Sequence, residues 1–368
     1  MPVLPPREEL RSRLDRFRER MDREGLHGFL VTDEADVRYL SGFTGGDTIL
    51  LITARQKLLL TGFPYVEEAR QTAAGWRVIT RRSELMEHAG MLARRLPIRR
   101  LGIAGEHLTV HQMKQLRKAS CGLIVKPVHG LAGELRLCKS AWEVRQIEGA
   151  LRIQEDCFRQ ACRKIVPGMH EYELAAELRY RIVKAGAEDQ AFPIICQFGA
   201  GSSLPHGRPT NRRLRSDSLI LVDWGARLNG YHSDLTRSFF IGSIPRSLRE
   251  IHGVVVRAQA LAKACVAPGV PFAAVDEAAR RFIRNSGYGK YFGHSTGHGL
   301  GLRIHEPPAL SRCGKGVLKS GMVVTIEPGI YLPGKGGVRI EDDVLVTEKG
   351  HRVLSRLPRG LRWSGHGD

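Results

Sequence analysis

Polar and apolar positions over about residues 7–24 recur with a helical period, and Gly25 follows, so the chain opens on a charged amphipathic helix. The period then shortens. Gly28–Val31 reads as an apolar strand, and Asp47–Ile52 and Lys57–Leu60 as two more joined by a short turn. Strand signals return at Trp76–Thr80, Arg100–Ala104 and Gly122–Val125, with helical stretches between them. Strands alternating with helices predict an α/β unit on a mainly parallel or mixed sheet.

The pattern changes near Ser140. Ser140 with Glu143 forms a capping box, whose hydroxyl and carboxylate satisfy free N–H groups at a helix start. A long amphipathic helix is expected from there to about Val166, stopped by Pro167-Gly168, so a domain boundary is set just before Ser140. Beyond it the chain repeats itself at a spacing of about 100 residues. Val166-Pro167-Gly168 precedes a helix containing Glu173–Leu178, and Ala267-Pro268-Gly269 precedes one containing Ala273–Ala279. Phe192–Pro209 then aligns with Phe292–Pro308, with His206 opposite His305. Strand Leu219–Trp224 aligns with Met322–Glu327, and Ser233–Phe240 with Arg339–Val346. Two copies of helix–loop–strand–strand imply a pseudo-twofold domain whose site draws similar residues from each half.

The repeated strands carry acids where apolar residues belong. Asp223 interrupts Leu219–Trp224, and Glu327 stands at the equivalent place after Met322–Ile326. Asp234 and Glu341 open the strands that follow. One buried acid is readily a salt bridge or a cap. Four that converge, matched across a repeat, need a compensating cation, because buried unpaired carboxylates are very costly. His298, flanked by Gly297, Gly299 and Gly301, offers a nitrogen ligand where the backbone can come close. Oxygen-rich ligation with one imidazole suits Mn²⁺, Fe²⁺ or Co²⁺, with Zn²⁺ also accommodated. Five protein ligands suit two ions about 3.5–4 Å apart better than one.

Composition narrows the class. The chain has 368 residues, a prior for about two domains, with 42% hydrophobic and 26% charged positions. No apolar run approaches the ~20 residues of a membrane span, and no secretory signal is visible. The seven cysteines form no CxxC pair, which fits a reducing cytoplasm without a disulfide framework. Lys and Arg outnumber Asp and Glu 57 to 38, a net +19. The excess is dispersed in short runs without aromatic interleaving, so a general Arg bias is read in preference to a nucleic-acid module.

The motif set resembles the pita-bread metallopeptidases, in the branch of Xaa-Pro aminopeptidase (aminopeptidase P) and prolidase. Val37–Gly45 and Leu59–Tyr65 are similar to the creatinase/prolidase N-terminal domain, and residues 140–350 to the catalytic domain. The resemblance implies a creatinase-like α/β domain at 1–138, a pita-bread catalytic domain at 139–358 and a tail at 359–368. It implies that Asp223 chelates a first ion, that Asp234 and Glu341 bridge two, and that His298 and Glu327 hold the second. Glu327 would also be the general base. His206, His294 and His305 match outer histidines that bind substrate, stabilise the oxyanion or move a proton. Tyr331 and Arg339 match positions that support Glu327 and Glu341. The expected reaction is attack of a metal-bridged hydroxide on the Xaa-Pro bond at a peptide N-terminus, a tertiary amide with no N–H. Peptides with proline second, two divalent ions (Mn²⁺ first, then Co²⁺, Zn²⁺ or Fe²⁺), a cytoplasmic homodimer, no membrane and no nucleic acid complete the expectation.

Two departures bear on specificity. Prolidases often carry an Arg shortly after the His-Glu motif to bind the dipeptide carboxylate. Here His305-Glu306 is followed by Pro307-Pro308-Ala309, which favours longer peptides unless Arg303 substitutes. The N-terminal motif reads Thr61-Gly62 where Thr-Asp is usual. The alternatives are a dipeptidase, non-peptide hydrolase or lyase chemistry on the same metals, and a pita-bread binding protein without activity.

Overall fold

The computed structural model describes residues 3–362; of the tail expected at 359–368, residues 363–368 lie outside the described residues. The chain divides into two compact units between Arg136 and Leu137.

In the first unit the opening helix spans Arg7–Arg23, and Gly25 takes the left-handed conformation that ends it. Six strands follow: β1 (Gly28–Val31), β2 (Thr48–Thr53), β3 (Lys57–Thr61), β4 (Arg77–Thr80), β5 (Arg100–Ala104) and β6 (Ile124–Val128). They form one mixed sheet in the order β4-β3-β2-β1-β5-β6. The β1–β2 and β2–β3 pairs are antiparallel, and the rest are parallel. Leu30, Leu51, Leu60 and Ile103 pack one face of the sheet against Ala89, Ala93 and Leu116 of the helices Leu85–Arg94 and Val110–Ala119. The last strand starts two residues later than expected. Gly122 has φ +90°, a turn conformation that excludes it from a strand.

The second unit begins at the capping box. Ser140 Oγ accepts from the Glu143 N–H at 3.3 Å, and Glu143 Oε2 accepts from the Ser140 N–H at 3.0 Å. The helix Ala141–Cys162 stops four residues short of Val166. Lys164 and Ile165 already donate three residues back, to Ala161 and Cys162, and a residue before proline avoids helical angles. Phe158 of this helix stacks on Trp224, ring centroids 4.2 Å apart.

The repeat is visible in the strands. Ser218–Trp224 pairs antiparallel with Leu235–Ile241, and Val323–Ile326 pairs antiparallel with Asp342–Val346. Helices Arg246–Ala264 and Phe272–Asn285 cover the second pair through Ile251, Val255, Ala258, Val275 and Ile283. The strand expected over Arg339–Val346 is broken. Gly336–Arg339 pairs with Gly329–Leu332, and pairing passes to Val323–Ile326 only from Asp342 on. Glu341 sits at that change of partner. The architecture is the mixed α/β domain followed by a pseudo-twofold, strand-centred domain.

Candidate active site

Each acid stands at a strand end, where the backbone leaves its ladder. Asp223 is the penultimate residue of Ser218–Trp224, and Asp234 immediately precedes Leu235–Ile241. Glu327 immediately follows Val323–Ile326, and Glu341 immediately precedes Asp342–Val346. His298 is the centre of the short strand Gly297–Gly299. Its flanking glycines are required by close approach. A Cβ on Gly297 would lie 1.9 Å from the Thr325 carbonyl oxygen, and one on Gly299 would lie 2.3 Å from that of Pro307.

All five side chains line one cavity of about 680 Å³, together with His206, His294, His305 and Arg339. Donor atoms of Asp234, His298 and Glu341 lie within 4.8 Å of one another. His298 Nε2 stands 3.6 Å from Asp234 Oδ2 and 3.5 Å from Glu327 Oε1. Its Nδ1 lies 3.0 Å from the Gly299 carbonyl, which can only accept. The proton therefore sits on Nδ1, and Nε2 turns its lone pair to the acids.

The electrostatics call for a cation. Burial lifts Asp234 and Glu341 well above the ordinary carboxylate range, and the neighbouring acids push them further. Burial lifts Glu327 to about 7, with Arg339 opposing and Asp223 adding. Asp223 Oδ1 and Asp234 Oδ1 are buried without a hydrogen-bond partner. Orphaned carboxylate oxygens facing a neutral imidazole are the donor set of a hard or borderline divalent ion.

The surrounding groups are ordered by a hydrogen-bond chain of fixed direction. Arg339 Nη1 donates to Tyr331 Oη at 2.7 Å, and Tyr331 Oη lies 2.9 Å from His294 Nε2. His294 Nδ1 lies 2.8 Å from the Ser295 carbonyl. A carbonyl only accepts, so His294 donates from Nδ1 and accepts from the tyrosine. Burial pushes His294 down to about 3, with the Arg339 charge adding, so the ring is neutral. His305 is also lowered by burial and by His298, whose ring it meets edge-on with centroids 4.4 Å apart. His206 is exposed on the cavity wall.

Tyr331 and Arg339 also touch groups beyond the two acids they are expected to support. Arg339 Nη2 donates to Asp223 Oδ2 at 2.6 Å. It reaches Glu341 only through Thr236, whose Oγ1 accepts from Arg339 Nε at 3.0 Å and donates to Glu341 Oε2 at 2.7 Å. No hydrogen bond joins either Tyr331 or Arg339 to Glu327. Thr325 does that instead, Oγ1 to Oε1 at 3.3 Å, while also accepting from the His298 N–H. Thr236 and Thr325 were missed in the sequence, although each lies two residues from an acid and so on the same strand face. Asp276 and Arg280 were missed as well. Their buried ion pair, 2.7 Å, sits on Phe272–Asn285. Asp276 accepts from Thr296 N and Oγ1, and Arg280 donates to the Phe292 and His294 carbonyls. The pair thus fixes the loop that carries His294 and leads to His298.

A repeated fold whose paired strands bring four carboxylates and an imidazole into one cavity defines a metal-dependent hydrolase of the two-domain α/β type. Residues 145–348 match metallopeptidase family M24, and residues 13–138 match the creatinase/prolidase N-terminal domain. The chain belongs to metallopeptidase family M24, a family of divalent-metal enzymes. It is 34% identical to the Xaa-Pro dipeptidase of Pyrococcus furiosus over 96% of this chain and 100% of that protein. The solved Xaa-Pro dipeptidase of Bacillus anthracis superposes with a TM-score of 0.92 at 36% identity, covering 96% of this chain and 99% of that one. The X-Pro aminopeptidase of Thermotoga maritima superposes with a TM-score of 0.87 at 34% identity, covering 93% and 99%. Among the described residues no helix is long and apolar enough to cross a membrane.

Proposed function

We propose that this chain is an aminopeptidase that releases the residue ahead of proline from the N-terminus of peptides longer than a dipeptide. The convergence of Asp223, Asp234, His298, Glu327 and Glu341 with three histidines on one cavity carries the reading. In it the five donors would hold two divalent ions, with Asp234 and Glu341 serving both, Mn²⁺ first and Co²⁺, Zn²⁺ or Fe²⁺ acceptable to the same donors. When bound, such ions polarise a carbonyl and acidify water. The catalytic domain is taken as 139–358, behind a domain at 1–138.

The chain's own groups do the rest. Glu327, lifted to about 7, takes the proton of the attacking water near neutral pH. His305, neutral and facing the cavity, donates its N–H to the oxyanion as the scissile carbonyl becomes tetrahedral. His206, exposed at the wall, meets the peptide backbone. His294 has both ring nitrogens engaged and holds its part of the wall in place.

The preference for longer peptides rests on the strand Glu306–Leu310, whose residues alternate buried and exposed. His305, Pro307 and Ala309 line the cavity, so position 309 presents a methyl group where a cation would clamp a dipeptide carboxylate. The dipeptidase names of the P. furiosus and B. anthracis relatives favour the competing reading, cleavage of Xaa-Pro dipeptides. Protein stripped of metal and reloaded with Mn²⁺, Co²⁺ or Zn²⁺ decides between them, through kcat/KM for Ala-Pro, Ala-Pro-Ala and acetyl-Ala-Pro-Ala. Ala-Pro-Ala is expected to be cleaved fastest and the acetylated peptide not at all. Preference for Ala-Pro makes the enzyme a dipeptidase, and efficient cleavage of acetyl-Ala-Pro-Ala removes the aminopeptidase assignment.

A further inference from the structure

His305 makes no side-chain hydrogen bond among the described residues, so its ring is placed by its backbone and by its edge-on contact with the His298 ring. That backbone is a loop, Gly301–Glu306, between the strand of His298 and the strand Glu306–Leu310. Several contacts close the loop, among them the Gly301 N–H donating to the Arg303 carbonyl at 3.0 Å. Glu306 Oε1 accepts from the Arg303 N–H at 3.1 Å, folding the carboxylate back into the turn. The Gly301 carbonyl accepts from the His232 N–H at 2.8 Å and lies 3.0 Å from His232 Nδ1. Lys139 Nζ meets Glu306 Oε2 at 3.3 Å, with side chains 1% and 2% exposed. The loop is wrapped tightly around this pair: a Cβ on Gly301 would lie 2.9 Å from Glu306 Oε2 and 3.1 Å from Lys139 Cε.

Lys139 is a rigid anchor. It directly precedes the capping box of Ala141–Cys162, its N–H donates to the Gly321 carbonyl, and Glu143 of the box accepts from Tyr231 Oη at 3.0 Å. A buried ion pair is a weak device for stability, since desolvation offsets most of the attraction. What such a pair does well is fix geometry. His305 directly precedes Glu306, the first residue of that strand, so holding the Glu306 carboxylate fixes the backbone from which the His305 ring enters the cavity.

We infer that the Lys139–Glu306 ion pair is a positioning device that holds His305 at its working place in the cavity. The inference rests on the role given to His305 under the proposed function. Loss of the pin loosens the imidazole without touching the five metal-binding side chains. An oxyanion or proton-transfer group displaced by about an ångström loses most of its effect on rate and little on ground-state binding.

The test uses the full-length, metal-loaded enzyme and the best substrate of the Xaa-Pro panel. Removing one charge alone leaves the other buried and endangers folding, so the main variant is the neutral pair Lys139→Met with Glu306→Gln. It is expected to keep wild-type metal content and KM within about threefold, while kcat falls roughly 10- to 100-fold. Lys139→Arg, which retains the ion pair, is expected to restore kcat to within about threefold. In a His305→Ala background, itself down roughly 10²-fold in kcat, the neutral pair is expected to cost nothing further, because both changes remove one unit. A readout without turnover is the ring resonance of His305 in metal-free protein carrying ¹³C-labelled histidine, assigned by its absence in His305→Ala. It stays single and sharp in wild type and Lys139→Arg, and splits or broadens in the neutral pair. Unchanged kcat and unchanged resonance in the neutral pair overturn the inference, as do full additivity with His305→Ala or loss of metal. If wild type cleaves no Xaa-Pro peptide, the proposed function fails, while the resonance still decides whether the pin exists.

Discussion

The Arg339 guanidinium lies 2.6 Å from the Asp223 carboxylate, Nη2 to Oδ2, with side chains only 3% and 12% exposed. The contact uses one carboxylate oxygen and leaves Oδ1 without a hydrogen-bond partner. Arg339 also donates to Tyr331 and Thr236, and through them orders His294 and Glu341. One guanidinium therefore organises groups from both halves of the repeat. Lysine keeps the charge but has no planar fork to reach three partners at once. Arg339→Lys is expected to fold and to lose roughly 10- to 100-fold in metal affinity or kcat/KM, as groups behind metal ligands do. Metal titration and steady-state kinetics check this, and a variant indistinguishable from wild type in both removes Arg339 from the site's organisation.

The same network shows what a sequence can and cannot disclose. Asp223, Asp234, Glu327 and Glu341 stood out because carboxylates in apolar strands are expensive, and because a repeat printed them twice. Thr236 and Thr325 carry no such signal, since threonine is an ordinary strand residue. Only strand alternation, applied outward from each acid, points to them. Arg339 was pointed to by the resemblance alone, and its pairing with Asp223 was not legible: the two are more than a hundred residues apart, and side-chain reach across strands is a tertiary fact. Asp276 and Arg280 were legible in principle, as a charged pair four apart beside Val275, Ala279 and Ile283, the apolar side of their helix. The strand breaks at Ile340-Glu341 and the early end of the helix at Cys162 reflect local turn geometry, which hydrophobic pattern describes least well.

Asp234 tests the metal assignment. Its Oδ2 lies 3.6 Å from His298 Nε2, and its N–H is held by Asp343 Oδ2 at 3.1 Å, so its backbone stays in place when the side chain changes. Asp234→Asn is expected to lower the metal content from about two ions to one or none and to abolish nearly all hydrolysis. Elemental analysis of dialysed protein, with circular dichroism as a fold check, measures it. Retention of both ions and of activity would falsify the shared-ligand role.

Stability at mildly acid pH should depend on His252. The residue lies on the helix Arg246–Ala264, is 3% exposed, and has an Nε2 with no hydrogen-bond partner. Burial pushes it from 6.5 to about 4, against a smaller opposing hydrogen bond with the Ser238 backbone. Between those values the unfolded chain binds a proton that the folded chain refuses. The stability contributed by the neutral ring is therefore complete above pH 6.5 and is lost as pH falls toward about 4, by up to about 3 kcal/mol. His252→Leu removes that titration. Urea unfolding at pH 7.5, 6, 5 and 4.5 should show wild type losing ground to the variant as pH falls, and a pH-independent difference between the two counts against a neutral buried His252.

Substrate length should be governed at Ala309. The strand Glu306–Leu310 sends alternate residues to opposite sides, and Ala309 is exposed on the cavity wall two positions beyond Pro307. A side chain placed there points toward the same space as His305, where the C-terminal part of a short peptide would lie. A methyl group offers nothing to a carboxylate, so a dipeptide must be held by its amine and its ring alone, whereas a tripeptide adds backbone contacts. Arginine at this position would supply a charge-assisted, two-pronged hydrogen bond to a free carboxylate. Such a bond is worth about 1.5–3 kcal/mol, or roughly 10- to 150-fold in kcat/KM. Ala309→Arg is therefore expected to raise kcat/KM for Ala-Pro by that factor while leaving Ala-Pro-Ala unchanged or reduced, with metal content as in wild type. The decisive quantity is the ratio of the two kcat/KM values, which cancels any general loss of active enzyme. A ratio that does not move toward the dipeptide in a folded, metal-loaded variant means that position 309 does not face the substrate carboxylate. The preference for longer peptides would then need a different cause.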